Sequence, residues 1–279
     1  MRIFQGSAII PAFDYLLNNF LPKFLVFSSY QTGTFLYKIK SLYPQLYLMD
    51  NSRPQATPNL IQALSLLLIV FLLMLLFSAL ILMALGVDKA TLDNPNGNHL
   101  AITIVGSMLL SYSTLFYISN RYLRQCFLKQ LNTGLSSFSL AILLGLLTAL
   151  LVLQLQAWFP APDSIQTSIS QALNSELWAI SLVFIGVIII APIGEEYLFR
   201  GVLFDSLNKK WGLPTATALS SVIFTLFHLF EYHQYWVAWF AVFCLAVMLA
   251  ILRHTSQSML NPIAMHATYN ATLLIIGSN

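Results

Sequence analysis

One apolar segment of the chain, residues 177–204, contains at its centre the stretch Gly194-Glu195-Glu196-Tyr197-Leu198-Phe199-Arg200. The segment is long enough to cross a bilayer as a helix, because about 20 apolar residues are sufficient. On insertion scales, each charged side chain at the centre of a spanning helix costs about 2.5–3.5 kcal/mol. Two carboxylates and a guanidinium are therefore expected to pair with each other, to face a polar cavity or to take part in chemistry.

The composition of the whole chain indicates a membrane protein. Of its 279 residues, 58% are hydrophobic and only 8% are charged, whereas soluble proteins carry about 25% charged residues. The net charge of +3 is too small to indicate a nucleic-acid partner. Cys126 and Cys244 lie in or beside apolar segments without a CxxC or Cys/His cluster. They indicate neither a disulfide framework nor a thiolate metal site.

Apolar runs of about 20 residues predict an all-α, polytopic membrane bundle. We place seven spans at residues 59–86, 100–118, 135–158, 177–204, 213–230, 236–252 and 258–277. Residues 1–58 are interpreted as an interfacial or re-entrant region, with an eighth span as the alternative. The chain would then consist of this region, N-terminal spans over residues 59–158 and a C-terminal core over residues 177–277.

The basic residues predict the orientation, since cytoplasmic loops are enriched in Lys and Arg. With the N-terminal region in the cytoplasm and alternating spans, Lys89 is the only Lys or Arg in an outer loop. The inner loops then hold Arg121, Arg124, Lys129, Lys209, Lys210 and Arg253. The outer segment 159–176 is expected to contain a short surface helix.

Several ionisable residues near the predicted ends of the spans are interpreted as surface residues. Asp205 and Glu231 are expected to be solvated at helix ends. Three histidines are likewise interpreted as surface residues: His99, His233 and His254.

Within the fourth span, Glu196 and Arg200 are separated by four residues and are therefore expected to pair on one helical face. Glu195 lies about 100° away around the helix, so that the same arginine neutralises it less fully. Pro192 and Gly194 are expected to weaken or bend the helix just upstream. One carboxylate would thus have a partner, while its neighbour stays available at an irregular part of the helix.

Two further spans contain polar residues in helical spacing. The fifth contains Phe224-Thr225-Leu226-Phe227-His228 and the last contains His266-Ala267-Thr268-Tyr269-Asn270. At 1.5 Å of rise per residue, Glu195 lies roughly 20 Å, His228 roughly 22 Å and His266 roughly 12–18 Å from the inner boundary. The similar depths predict that the carboxylate and the two imidazoles converge in one chamber, although each polar residue alone is more typical of an interhelical hydrogen bond.

Taken in order, the three patterns resemble the signature of the CAAX protease and bacteriocin-processing (CPBP, or Abi) family of intramembrane endopeptidases. The patterns are Glu195-Glu196-x-x-x-Arg200, Phe224-x-x-x-His228 and His266-x-x-x-Asn270. The resemblance covers about residues 177–273, a little over a third of the chain, and residues upstream give no hint of subfamily or substrate.

The resemblance implies a role for each matching residue. Glu195 would act as general base on the hydrolytic water, and His228 would help to hold that water. His266 and Asn270 would stabilise the oxyanion. The supporting residues would be Glu196, Arg200 and Phe224.

This assignment agrees with the chemistry of peptide hydrolysis, which requires a base for the water and donors for the developing oxyanion. The implied partners are the lipid bilayer and a peptide or protein substrate at the membrane. We expect a bacterial cytoplasmic membrane, where a peptide precursor is a more natural substrate than a prenylated tail.

Three alternatives stay open at the level of sequence. His228, His266 and Glu195 are a chemically legitimate set of zinc ligands. We favour a site without metal or other cofactor, because asparagine is a poor zinc ligand but a good oxyanion donor. Intramembrane Glu, His and Arg also build proton relays and transporters, although we find no paired halves with broken helices. A non-catalytic immunity or scaffold protein is the third alternative.

Overall fold

The computed structural model describes residues 57–87, 96–122, 130–162, 167–232 and 234–277. Within these residues the chain is all-α, as predicted, and forms eight helices without a strand. The helices are α1 (Leu60–Ala84), α2 (Gly97–Tyr122), α3 (Leu135–Trp158), α4 (Ser168–Leu173), α5 (Leu177–Trp211), α6 (Leu213–Tyr232), α7 (Trp236–Ser256) and α8 (Leu260–Ile276). The predictions for residues 1–56 and for His233 lie outside the described residues.

Each of the seven predicted spans contains a helix, but the helices differ in length. By length and composition, α1, α2, α3, α5 and α7 are able to cross a membrane. The apolar part of α6 is limited to Leu213–Leu229, and α8 has 17 residues, which correspond to a rise of about 25 Å. The protein is therefore an integral membrane protein with five long apolar helices and two shorter ones among its described residues.

The surface of the bundle is apolar, as expected of a surface that contacts lipid. Helix α1 alone exposes Ile61, Leu68, Leu72, Leu75 and Met83 by half or more of their area. Contiguous apolar surface of this extent is rare on soluble monomers. A hydrocarbon environment accommodates it without cost.

Helix α5 occupies the centre of the bundle and contacts α1, α2, α6, α7 and α8. It is continuous over 35 residues but changes its winding. It is α-helical at Leu177–Ile185, Ala191–Glu196 and Asp205–Trp211, and π-helical at Gly186–Ile190 and Tyr197–Phe204. The predicted weakening around Pro192 and Gly194 thus takes the form of two wider π segments that flank the carboxylates.

Contacts at one end of the bundle, which we call the basic end, join Pro58, Gln130, Asp205, Arg253 and Met259. Arg253 forms a 2.7 Å ion pair with Asp205, and the Met259 amide donates to the Gln130 carbonyl at 2.7 Å. The Pro58 carbonyl accepts from Ser206 of α5 at 2.8 Å. The start of α1 and the ends of α5 and α7 therefore lie together.

Contacts at the other end, the distal end, join the start of α2 to the start of α5 and the end of α3 to the start of α7. Asn98 and Glu176 exchange hydrogen bonds of 3.1 and 3.2 Å, and the Tyr235 hydroxyl donates to the Phe159 carbonyl at 2.6 Å. These pairings are those required of helices that alternate in direction through a membrane.

The interpretation of Asp205 and Glu231 as solvated residues is wrong. Asp205 is only 25% exposed, because it packs against the Arg253 guanidinium. Glu231 accepts hydrogen bonds from the Ser168 amide at 2.5 Å and the Ser168 hydroxyl at 3.2 Å. The short helix α4, which was predicted in this segment, lies close enough to α6 to engage this carboxylate.

Candidate active site

Glu196 and Arg200 form the ion pair that their spacing predicts. Both side chains are essentially inaccessible to solvent, with exposures of 0% and 1%. Arg200 Nη1 donates to Glu196 Oε1 at 3.2 Å, while Arg200 Nε lies 3.2 Å from Glu196 Oε2 without hydrogen-bond geometry. Burial of a single charge would cost several kcal/mol, and the pairing offsets part of that cost.

Arg200 also connects α5 to two neighbouring helices. Its Nη2 donates to the Ala246 carbonyl of α7 at 3.1 Å, and its guanidinium lies 4.4 Å from the centre of the Phe224 ring of α6. A guanidinium at this distance is attracted electrostatically to the face of the ring. Arg200 therefore holds Glu196 and Phe224 at a defined separation.

His266 contacts both adjacent glutamates, one through each ring nitrogen. Its Nδ1 lies 2.7 Å from Glu196 Oε1, and its Nε2 lies 3.9 Å from Glu195 Oε2. Because a carboxylate only accepts, Nδ1 carries the proton toward Glu196. Glu196 thereby orients the imidazole so that Nε2 faces Glu195.

His228 approaches the same Glu195 oxygen from α6. Its Nε2 lies 3.8 Å from Glu195 Oε2, and its Nδ1 lies 2.9 Å from the Phe224 carbonyl. Since that carbonyl cannot donate, Nδ1 carries the proton, and Nε2 faces Glu195. The His228 ring also lies against Phe224, with 4.5 Å between the centroids.

Glu195 Oε2 consequently lies between two imidazole nitrogens without a hydrogen-bond partner of its own among the described residues. The separations of 3.8 and 3.9 Å exceed a direct hydrogen bond, and a polar separation of this size suits a bridging water. The structure therefore brings together the carboxylate and the two histidines, as their depths predicted.

Asn270 of α8 is positioned by the first π segment. Its Nδ2 donates to the Val187 carbonyl at 2.8 Å. In a regular α-helix that carbonyl would accept from Ala191, but the Ala191 amide bonds to Gly186 instead. The next candidate, Pro192, has no N–H. The π segment thus leaves a free carbonyl that Asn270 uses, while the second amide hydrogen of Asn270 stays available.

A cavity of about 350 Å³ joins these residues. Glu195, His228, His266 and Asn270 line it together with Phe224, whereas Glu196 and Arg200 lie behind its wall. The remaining lining is mostly apolar. Polar groups that converge in an apolar cavity are the usual form of a small binding or catalytic site.

The separations around Glu195 are wider than those between the donors of a bound zinc ion. Zinc bonds of 2.0–2.1 Å would place neighbouring donors roughly 3.4 Å apart, and the Glu195 oxygen lies 3.8 and 3.9 Å from the two nitrogens. No group of three or more His, Cys, Asp or Glu side chains in the described part of the chain is arranged to hold a metal ion.

Gly194 has a role that its sequence position did not reveal. A Cβ at this residue would collide with the ring of Tyr112 from α2, which is 4% exposed. Gly194 therefore permits α2 to approach the backbone of α5 directly beside Glu195. From sequence alone we interpreted this glycine only as a point of weakness in the helix.

Gly145 of α3 is a second close approach. A Cβ there would meet the Met265 carbonyl of α8, and the side chain of Thr268 would be 3.0 Å away. These two residues flank His266 in sequence, so that α3 supports the backbone that carries it.

Comparison with known families bears on the region that contains all three motifs. Residues 177–272 match the family model described as Rce1-like, type II CAAX prenyl endopeptidase Rce1-like. No curated protein and no solved structure matches the chain significantly. The matched region covers α5 to α8 almost completely, which includes Glu195, Phe224, His228, His266 and Asn270 of the cavity wall. The resemblance to the CAAX protease family is thereby confirmed for residues 177–272, which are similar to that family within a polytopic membrane protein.

Proposed function

We propose that this protein is an intramembrane endopeptidase in which Glu195 activates a water molecule for attack on a peptide bond. The observation that carries the proposal is the position of Glu195 Oε2, which lacks a hydrogen-bond partner among the described residues and lies 3.8 and 3.9 Å from two imidazole nitrogens. Such a carboxylate is within reach of a water that donates one hydrogen to it and one to His228 Nε2.

In the reaction, the water oxygen forms a bond to the carbonyl carbon of the substrate while its proton passes to Glu195. The carbonyl oxygen becomes an oxyanion. Collapse of this intermediate breaks the C–N bond, and Glu195 returns the proton to the leaving amine. No co-reactant other than water is required.

His266 and Asn270 supply the donors to the oxyanion in this proposal. Asn270 has one amide hydrogen left after its bond to Val187. His266 directs Nδ1–H to Glu196, so that donation through Nε2 requires the imidazolium form. The buried charges then balance, because the charges on Arg200 and His266 oppose those on Glu196 and Glu195.

Glu196, Arg200 and Phe224 serve as positioning residues. They do not supply an atom to the substrate, but each contacts a histidine or its partner. Donors held in advance at the place where charge develops are more effective than donors that must reorganise during the reaction.

The substrate is proposed to be a peptide or protein precursor at the membrane, and the location a bacterial cytoplasmic membrane. The test is a comparison of the peptides and proteins of cells that carry the wild-type chain, Glu195→Gln or the control Glu176→Gln. Glu176 is a glutamate that immediately precedes the same helix at the distal end, and it is not part of the cavity wall.

A cleavage product that is absent only in Glu195→Gln identifies both the activity and the substrate, and its chemistry shows whether prenylated tails are cleaved. If Glu195→Gln preserves every product and the cellular phenotype, the protein acts without catalysis and the proposal is wrong.

A further inference from the structure

The cavity is polar on the side of the distal end. Gln156, Ser168 and Glu231 line it there and are all half-buried. They belong to the end of α3, the start of α4 and the end of α6. The same end contains the Phe159–Tyr235 contact.

Toward the basic end the cavity is closed by a fully packed layer. Every residue of the second π segment, Tyr197–Phe204, is buried. Leu249 of α7 and Met265 of α8 are both inaccessible. Below this layer the ion pair of Asp205 and Arg253 joins α5 to α7. A peptide could not pass through this layer without separation of the helices.

The two ends of the bundle differ in charge in the way that marks membrane sidedness. In sequence, the segments that follow or join helices at the basic end contain the six residues Arg121, Arg124, Lys129, Lys209, Lys210 and Arg253. Lys89 is the only Lys or Arg between α1 and α8 that belongs to a distal segment. Since Lys and Arg concentrate in cytoplasmic loops, the basic end faces the cytoplasm.

We propose that the cavity is entered from the non-cytoplasmic face, and that its substrate is an extended peptide segment presented from that face. The polar end at Gln156 and Ser168 would receive the polar part of the segment. Apolar side chains beside the scissile bond would contact Met108, Phe227 and Leu245. The volume of about 350 Å³ is at the lower limit for ligand sites and admits a few side chains, not a folded domain. The peptide nature of the occupant rests on the proposed function, whereas the direction of entry does not.

Cysteine labelling in intact cells tests the direction of entry. In a chain with Cys126→Ala and Cys244→Ala, single cysteines are introduced by Gln156→Cys or Ile169→Cys in the cavity wall. Ala161→Cys is the control at the distal surface and Asn132→Cys the control at the basic end, since both residues are exposed and lie between helices. A membrane-impermeant sulfonated maleimide is applied before and after permeabilisation, and a permeant maleimide on denatured protein measures the total thiol.

The expected result is modification of Ala161→Cys and of both cavity variants in intact cells, and of Asn132→Cys only after permeabilisation. Modification of Asn132→Cys in intact cells with protection of Ala161→Cys would overturn the orientation. Protection of both cavity variants while Ala161→Cys reacts would overturn entry from this face. Neither outcome depends on catalysis, so that failure of this inference is distinct from failure of the Glu195→Gln comparison.

Discussion

His266 Nδ1 lies 2.7 Å from Glu196 Oε1, the same oxygen that accepts a hydrogen bond from Arg200. This shared oxygen separates the two adjacent glutamates into different environments. Glu196 accepts from two donors through its Oε1, whereas Glu195 Oε2, which faces the cavity, has no hydrogen-bond partner within the described residues. The pair of carboxylates thus divides into one that holds an imidazole and one that is available to water.

Substitution of Glu196 is expected to impair stability as well as activity. Glu196→Gln leaves the Arg200 charge buried without a counter-ion, and such losses cost about 3–5 kcal/mol. Thermal unfolding in detergent should show a large decrease in Tm. The matched control is Asp205→Asn, which breaks the more exposed ion pair with Arg253 and should have a smaller effect. A larger effect of Asp205→Asn would contradict this account.

Gly194→Ala is expected to displace Glu195 by collision with the Tyr112 ring. An added group in a packed interior typically lowers the free energy of unfolding by about 1–3 kcal/mol. The rate of cleavage should also fall, because Glu195 is displaced. Gly134→Ala is the control, because a Cβ there meets nothing within 4 Å. Activity should recover in part when Gly194→Ala is combined with Tyr112→Ala. Absence of any recovery in a folded double variant would show that the close approach is not the cause.

Pro192→Ala is expected to change stability and activity in opposite directions. Removal of a helix-interior proline favours a regular α-helix, in which the Val187 carbonyl is taken by the backbone and Asn270 loses its acceptor. Stability should therefore rise or stay constant, while kcat falls about 2–10-fold, as expected for one positioning hydrogen bond.

Asn270→Ala provides the comparison for Pro192→Ala. It removes the oxyanion donor itself and should lower kcat by about 10²–10³-fold. Equal losses in the two variants, or full activity of Pro192→Ala, would argue against a positioning role of the π segment.

Metal dependence is tested on purified protein by elemental analysis and by chelation. The wide spacing around Glu195 predicts no stoichiometric zinc and a cleavage rate that withstands a chelator. The opposite outcome would be stoichiometric zinc whose removal abolishes cleavage and whose return restores it. Glu195 would then be a zinc ligand and not the base that activates water.

Parts of the site that depend on one helix could be predicted from sequence, and parts that depend on neighbouring helices could not. The Glu196–Arg200 pair follows from a spacing of four residues, and the convergence of Glu195, His228 and His266 follows from equal depth. The bond from Asn270 to Val187 was not predictable, because it involves a backbone carbonyl released by a change of winding. Glu231 was misinterpreted because its partner, Ser168, belongs to another helix, and only the position of α4 in the structure reveals the contact.

The fold shows the same division. Within the described residues, each of the seven spans located by hydropathy contains a helix, because hydrocarbon solvation acts on each helix separately. Hydropathy also located the short apolar part of α6, predicted at residues 213–230 and observed at Leu213–Leu229. It did not reveal that α8, predicted within residues 258–277, is a helix of only 17 residues.

The most direct test of the central claim is the rate of peptide-bond cleavage by purified wild-type protein and by Glu195→Gln, measured on a substrate identified by the cellular comparison. The substituted amide would keep the shape of the side chain but could not accept the proton from water. We predict a fall in kcat of roughly 10²–10⁴-fold, as expected for loss of a general base, with an unchanged Tm. An unchanged cleavage rate in a folded Glu195→Gln variant would contradict the account.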